Sequence, residues 1–203
     1  MEEILSKMNP NKRDSLIKAA LNEFAVNDYD KASTNVIVKK AGISKGLLYH
    51  YFKSKEELYE YLVKFVFEKM TKEILDNIDY GETDILNRIA STVDYKMKLF
   101  ARYPGIIEFY KKLTKGKSVE DLIKQIESYY PGYYQDYFTK NINYDLFRKD
   151  IDLIKMIKMT QWVLEKFSED NFLRAEQSEN YDMENMQKEL NEYLMILKKL
   201  FYV

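Results

Sequence analysis

The feature that most constrains this chain is how little interrupts it. Across 203 residues there are six glycines and three prolines, so long stretches run without a helix breaker. Sandwiches and barrels need turn residues far more often than this. Between the breaks, apolar side chains return every three or four positions, the helical period. Leu16, Ile17, Ala20, Leu21 and Phe24 follow Pro10 in this way, and Leu58, Leu62, Phe65, Val66 and Met70 do so after Lys55. With 46% hydrophobic and 32% charged residues, the chain has enough apolar side chain to build a core. The expectation is an all-α protein.

Composition removes several kinds of chemistry. Without cysteine there is no disulfide framework, thiolate metal site or cysteine nucleophile. The single histidine, His50, leaves no His-rich metal site and makes a Ser-His-Asp arrangement improbable, and no Glu-x-x-His pair occurs. No metal or cofactor is expected, and an enzyme is the least supported reading. The polar start MEEILSKMNPNKRD lacks the apolar stretch of a signal peptide, and no run of 18 uncharged apolar residues occurs. A cytoplasmic protein is expected.

The near-neutral net charge of −1 conceals an asymmetry. Residues 1–55 carry ten Lys/Arg against six Asp/Glu, a net of +4, while the remainder has a net of −5. A small basic head on an acidic body is the electrostatic form of a nucleic-acid-binding protein.

The segment ASTNVIVKKAGISKGLLYHYFKSKEELYEYL is the most informative. Ser33 or Thr34 caps a short helix with Val36, Ile37, Val38 and Ala41 as its apolar positions. Gly42 stands where the turn needs a positive φ, and Ser44 opens a second short helix from Lys45 to about Phe52. Two short helices joined by such a turn form a helix-turn-helix, whose second helix enters the major groove. Leu48 and Phe52, four apart, fall on one face for packing. Lys45 and Tyr49 fall on another, available to bases and phosphates. Gly46 weakens its helix by about 1 kcal/mol, which is explicable if backbone there must approach another surface. Ser54 and Glu57 form a capping box, and Lys55 in the first turn after it makes a phosphate anchor.

The run Ala19-Ala20, Phe24, Thr34, Val38, Ala41-Gly42-Ile43-Ser44-Lys45-Gly46, Leu48-Tyr49, Tyr51-Phe52 and Lys55-Glu56-Glu57-Leu58 resembles the DNA-binding domain of TetR-family transcriptional regulators over about residues 12–62. The resemblance implies a homodimer with a three-helix DNA-binding domain over residues 1–54. It also implies a larger helical domain over residues 55–203 that binds a small-molecule effector and dimerises. It further implies that the positions of Thr34, Ser44, Lys45, Gly46, Tyr49, Tyr51 and Lys55 meet double-stranded operator DNA. Histidine stands one place earlier than in the common Tyr-x-His order, so His50 and Tyr51 both stand as candidates for one phosphate contact. The function implied is a regulator, in the first instance a repressor, released from a pseudo-palindromic operator by its effector. The alternative is a helical small-molecule-binding protein without specific DNA readout.

The body contains five tyrosines and a phenylalanine between Ser128 and Phe138. With others these suggest an effector pocket from Tyr95, Phe100, Tyr103, Phe109, Tyr110, Tyr130, Tyr134 and Trp162, although aromatic filling of helix junctions explains the same residues. A helix from Asp150 to about Phe167 is apolar round most of its circumference and must bury more than one side. With a final helix bearing Leu190, Leu194 and Leu197, it suggests a four-helix dimer interface through Leu153, Ile157, Leu164, Leu190, Leu194 and Leu197. The polar stretch 168–181 between them is expected to be a loop or frayed helix.

Overall fold

The computed structural model describes residues 8–177 and 182–203, and every regular element among them is helical. The order is α1 (Pro10–Val26), α2 (Thr34–Ala41), α3 (Lys45–Tyr51), α4 (Lys55–Phe67), α5 (Ile85–Arg102), α6 (Ile106–Thr114), α7 (Val119–Tyr129), α8 (Tyr133–Thr139), α9 (Leu153–Gln177) and α10 (Met183–Phe201). A 3-10 turn at Tyr144–Leu146 and one isolated bridge, Phe147 to Tyr202, complete the description. The chain therefore has the all-α fold that its periodicity predicts, with the helix-turn-helix at its N-terminal end.

Local chemistry accounts for most boundaries. Asn9 accepts from Asn11 and Lys12 at the start of α1, and Pro10 occupies the first helical position, where its missing N–H costs nothing. Ser44 Oγ accepts from Leu47 N, and Ser54 Oγ from Glu57 N. Ser118 and Asp121 cap α7 reciprocally. Gly42, at φ +65°, closes α2: its N–H donates to Lys39 O and that of Ile43 to Val38 O. This crossed pair satisfies two orphan carbonyls and reverses the chain.

Two elements depart from expectation. The helix opened by Lys55 continues beyond Phe67 as a π-helical stretch, Glu68–Glu73, before a last α turn, Ile74–Asp76. The polar stretch after Phe167 is helix through Gln177, with Lys166 bridging Glu169 and Asp170 on its solvent side. Positions 178–181 of the expected loop lie outside the described residues.

The chain forms two compact units, Met1–Glu73 with Lys98–Lys115, and Ile74–Met97 with Gly116–Val203. This division does not follow a boundary at residue 54, because α4 and α6 pack with the helix-turn-helix. In the first unit an aromatic cluster explains why. Phe109 of α6 lies 6.2 Å from Phe24 of α1 and 5.5 Å from Tyr59 of α4, ring to ring. Gly105, at φ +85°, lets α6 approach: a Cβ there would stand 3.2 Å from the backbone of Asn22 and 2.9 Å from its side-chain oxygen. Lys112 then donates to Phe24 O and Asn27 O, capping the C-terminal end of α1.

The second unit has its own core, with Ile85, Leu86, Ile89, Phe138, Met156, Leu190, Leu194, Leu197 and Phe201 at its centre. Arg88 is fully buried within it and donates to the carbonyls of Glu82, Tyr137 and Lys140. Asp84 begins α5, accepting from Leu86 N, and ties down the chain end by accepting from Lys198 Nζ and Tyr202 Oη. Burial pushes its carboxyl upward, but those hydrogen bonds outweigh burial and hold it below the usual carboxylate range.

Candidate nucleic-acid interface

The outer surface of the first unit is built by α2, its turn and α3. Ile37 and Val38 of α2, Leu48 of α3 and Phe52 beyond it are buried, which fixes the rotation of both helices. The remaining arc of α3 is turned outward, with Ser44, Lys45, Gly46, Tyr49 and His50 exposed. Thr34 at the start of α2 lies beside this arc, its hydroxyl 3.4 Å from that of Tyr49. The Lys45 ammonium lies 6.0 Å from the Tyr49 ring centre. Thr34, Lys45 and Tyr49 thus form one contiguous polar patch, with the N-terminus of α3 at its edge.

Gly46 is informative because nothing inside the protein requires it. A Cβ at this position would find open space, with only Ser44 Oγ at 4.0 Å. No contact within the protein calls for a bare backbone here. His50 is exposed and Tyr51 half-buried, their rings 5.0 Å apart at 82°. The two candidates for a single phosphate contact are neighbours on the same turn.

Lys55 does not project from its helix as a phosphate anchor. Its ammonium donates to Tyr29 O at 2.7 Å, Ala32 O at 3.2 Å and Asp30 O at 3.3 Å, and sits 4.6 Å from the centre of the Tyr29 ring. All three of its protons have carbonyl acceptors in the α1–α2 loop, so it is a staple of the fold. Sequence spacing carried no signal of this, because the acceptors are backbone atoms more than twenty residues away. The same loop is fastened by Glu23, a buried side chain accepting from Asn27 Nδ2 and Ser33 N.

The aromatic residues assembled from sequence as an effector pocket take varied positions. In the first unit, Phe109 is interior to the aromatic cluster, Tyr103 packs 5.2 Å from Phe65, Tyr110 lies 5.9 Å from Phe67, and Phe100 is half-buried. In the second, Tyr134 donates to Glu165 and stacks edgewise on Phe138, while Tyr95 and Tyr130 are half-buried. Trp162 is 58% exposed and packs under Lys158 on the surface of α9. Sequence reading also passed over Lys96 of α5. Burial holds its ammonium below the usual lysine range, and no carboxylate pairs with it among the described residues.

The dimer-interface residues require a correction. Leu190, Leu194 and Leu197 are buried in the core of the second unit, and Leu153, Ile157 and Leu164 pack against that core. Their faces of α9 and α10 are thus covered within the subunit. The same helices instead expose Ile154, Met159, Trp162, Tyr193, Met195, Ile196 and Leu200, and Trp162 and Tyr193 line one groove between them.

Comparison with known proteins bears on this geometry. Residues 16–62 match the family described as "Bacterial regulatory proteins, tetR family". The chain is 27% identical over 153 residues to the HTH-type transcriptional regulator QacR of Staphylococcus aureus, covering 72% of this chain and 80% of that one. It is 22% identical over 191 residues to the biofilm operon icaADBC HTH-type negative transcriptional regulator IcaR of the same species, covering 90% and 98%. In fold it resembles a TetR family transcriptional regulator from Chloroflexus aurantiacus, with a TM-score of 0.53 at 21% identity across 99% of this chain and 98% of that one. The matched stretch, 16–62, runs from within α1 to within α4 and includes the whole exposed patch.

Proposed function

We propose a mechanism for a chain that belongs to the TetR family and is a DNA-binding transcriptional regulator: it represses as a homodimer and is released from its operator by a small molecule. The observation that carries this reading is the exposed patch of Thr34, Lys45 and Tyr49 around a glycine, Gly46, that no internal contact explains. Lys45 and Tyr49 reach base edges as α3 enters the major groove, N-terminal end first. Thr34 and Ser44 hold phosphates beside the N-terminus of α3, and Tyr51 or His50 takes a further phosphate. Gly46 allows the backbone to come close. Two-fold symmetry then calls for a pseudo-palindromic operator read in successive grooves.

The exposed apolar face of α9 and α10 supports dimerisation. Large side chains such as Ile154, Trp162, Ile196 and Leu200 on adjoining helices make a patch of the kind that monomers rarely leave uncovered. To release DNA, the effector must bind the DNA-incompetent state more tightly than the competent one.

Fluorescence anisotropy on tiled DNA from around the gene, at two salt concentrations, tests this reading. Tight, salt-sensitive binding to one tile with two-fold symmetry, lost in Tyr49→Ala at unchanged helical content, is expected. Uniform weak binding to every tile by an intact dimer would leave the alternative, a small-molecule-binding protein without specific readout.

A further inference from the structure

The first unit contains a cleft of about 590 Å³ that none of the DNA-contact residues enters. Its walls are the N-terminal turns of α1, the end of α4 with the π-helical stretch, and the last turn of α5. This volume lies within the range of small-molecule sites. We infer that the cleft is a binding site for an amphipathic anion, an aryl carboxylate or its like, held between the guanidinium groups of Arg13 and Arg102 over the rings of Tyr61, Phe65 and Tyr103.

Charge pairing is the first argument. The cleft is lined by three cations, Arg13, Lys69 and Arg102, and two carboxylates, Asp14 and Glu68. Each carboxylate is already paired with a lysine outside the cleft, Asp14 with Lys18 at 2.8 Å and Glu68 with Lys64 at 3.7 Å. Lys69 is paired with Glu73. Arg13 and Arg102 are in no ion pair among the described residues. Two guanidinium forks lining one cleft, neither in an ion pair among the described residues, match the planar geometry of a ligand carboxylate.

The apolar floor is the second argument. Phe65 and Tyr103 are buried, edge to face at 5.2 Å, with Tyr61 stacked 6.2 Å from Phe65. Arg102 lies 5.3 Å from the Tyr103 ring centre, and the Lys69 ammonium lies within 6 Å of both Phe65 and Tyr103. A flat hydrocarbon body laid on these rings would keep its charged end at the arginines. The backbone is the third argument. The wall bearing Glu68 and Lys69 is where α4 widens into a π-helix, a conformation that costs stability and recurs at functional sites.

This site is separate from DNA contact, so its test reads occupancy alone. Isothermal titration of the full chain with 2-naphthoate should give saturable binding, with the neutral alcohol 2-naphthylmethanol at least about tenfold weaker. Arg13→Gln and Arg102→Gln should each weaken 2-naphthoate by about tenfold, while Arg148→Gln, remote in sequence and paired with Asp150, should leave it unchanged. No binding of 2-naphthoate, equal affinity for the alcohol, or indifference to both cleft arginines would each overturn the proposal. Operator binding by the same Arg102→Gln protein is expected to be intact. A negative titration with normal operator affinity therefore refutes the cleft and leaves the regulator reading standing.

Discussion

Replacing Lys55 with methionine keeps the aliphatic stem and deletes an ammonium that holds three loop carbonyls. A hydrogen bond involving a charged group contributes about 1.5–3 kcal/mol when well made. Here only the bond to Tyr29 O, at 2.7 Å, is short, and the other two exceed 3.1 Å. The site is half-exposed, so water can replace part of what is lost. The cation over the Tyr29 ring adds about 0.5–1 kcal/mol. Together the loss is about 2 kcal/mol, or about 4–8 °C in melting temperature for a chain of this length. Thermal denaturation followed by circular dichroism measures the first quantity. Anisotropy titrations across salt concentrations, well below the melting range, measure the second. Each phosphate contact contributes about 0.9 to the slope of log K against log salt. Lys55→Met should leave that slope unchanged while lowering the melting temperature, and Lys45→Ala should weaken operator binding without shifting the melting curve. A slope reduced by about one in Lys55→Met, with an unshifted melting curve, would refute the assignment of Lys55 as a staple.

Gly105→Ala forces an L side chain to φ +85° and puts its Cβ 3.2 Å from the Asn22 backbone. It should lower the urea midpoint by the equivalent of at least about 2 kcal/mol; an unchanged midpoint would show that α6 can slide away from α1. Asp84 has a folded-state pKa below its unfolded one. The unfolded chain therefore binds more protons between the two values, and stability falls as pH drops through that window. Asp84→Asn should flatten this acid-side loss in denaturation measured from pH 6 to pH 2. The double substitution Ile154→Glu with Leu200→Glu should yield a folded monomer by sedimentation velocity. A dimer of undiminished affinity would move the interface off the exposed face of α9 and α10.

The helix-turn-helix was legible in the sequence because every signal that defines it is local. Ser44 caps the backbone three residues ahead of it, the turn at Gly42 satisfies the carbonyls three and four residues behind that glycine, and Leu48 and Phe52 share a face by helical period alone. The same holds for Ser54 and for the reciprocal cap of Ser118 and Asp121. Sequence also showed that α9 is apolar round most of its circumference, but periodicity identifies an apolar face without saying what covers it. Leu190, Leu194 and Leu197 therefore read as an interface until Ile85, Phe138 and Met156 are seen packed with them. Lys55 could not be assigned from its place at a helix start, since its acceptors are carbonyls brought to it by the turn between α1 and α2. The cleft between Arg13 and Arg102 is of the same kind, joining positions almost ninety residues apart that no spacing relates. What the chain determines by itself is what short-range hydrogen bonds and helical period enforce. The tertiary structure decides the pairing of faces and the partners of the charged groups, because both depend on atoms that only packing brings within reach.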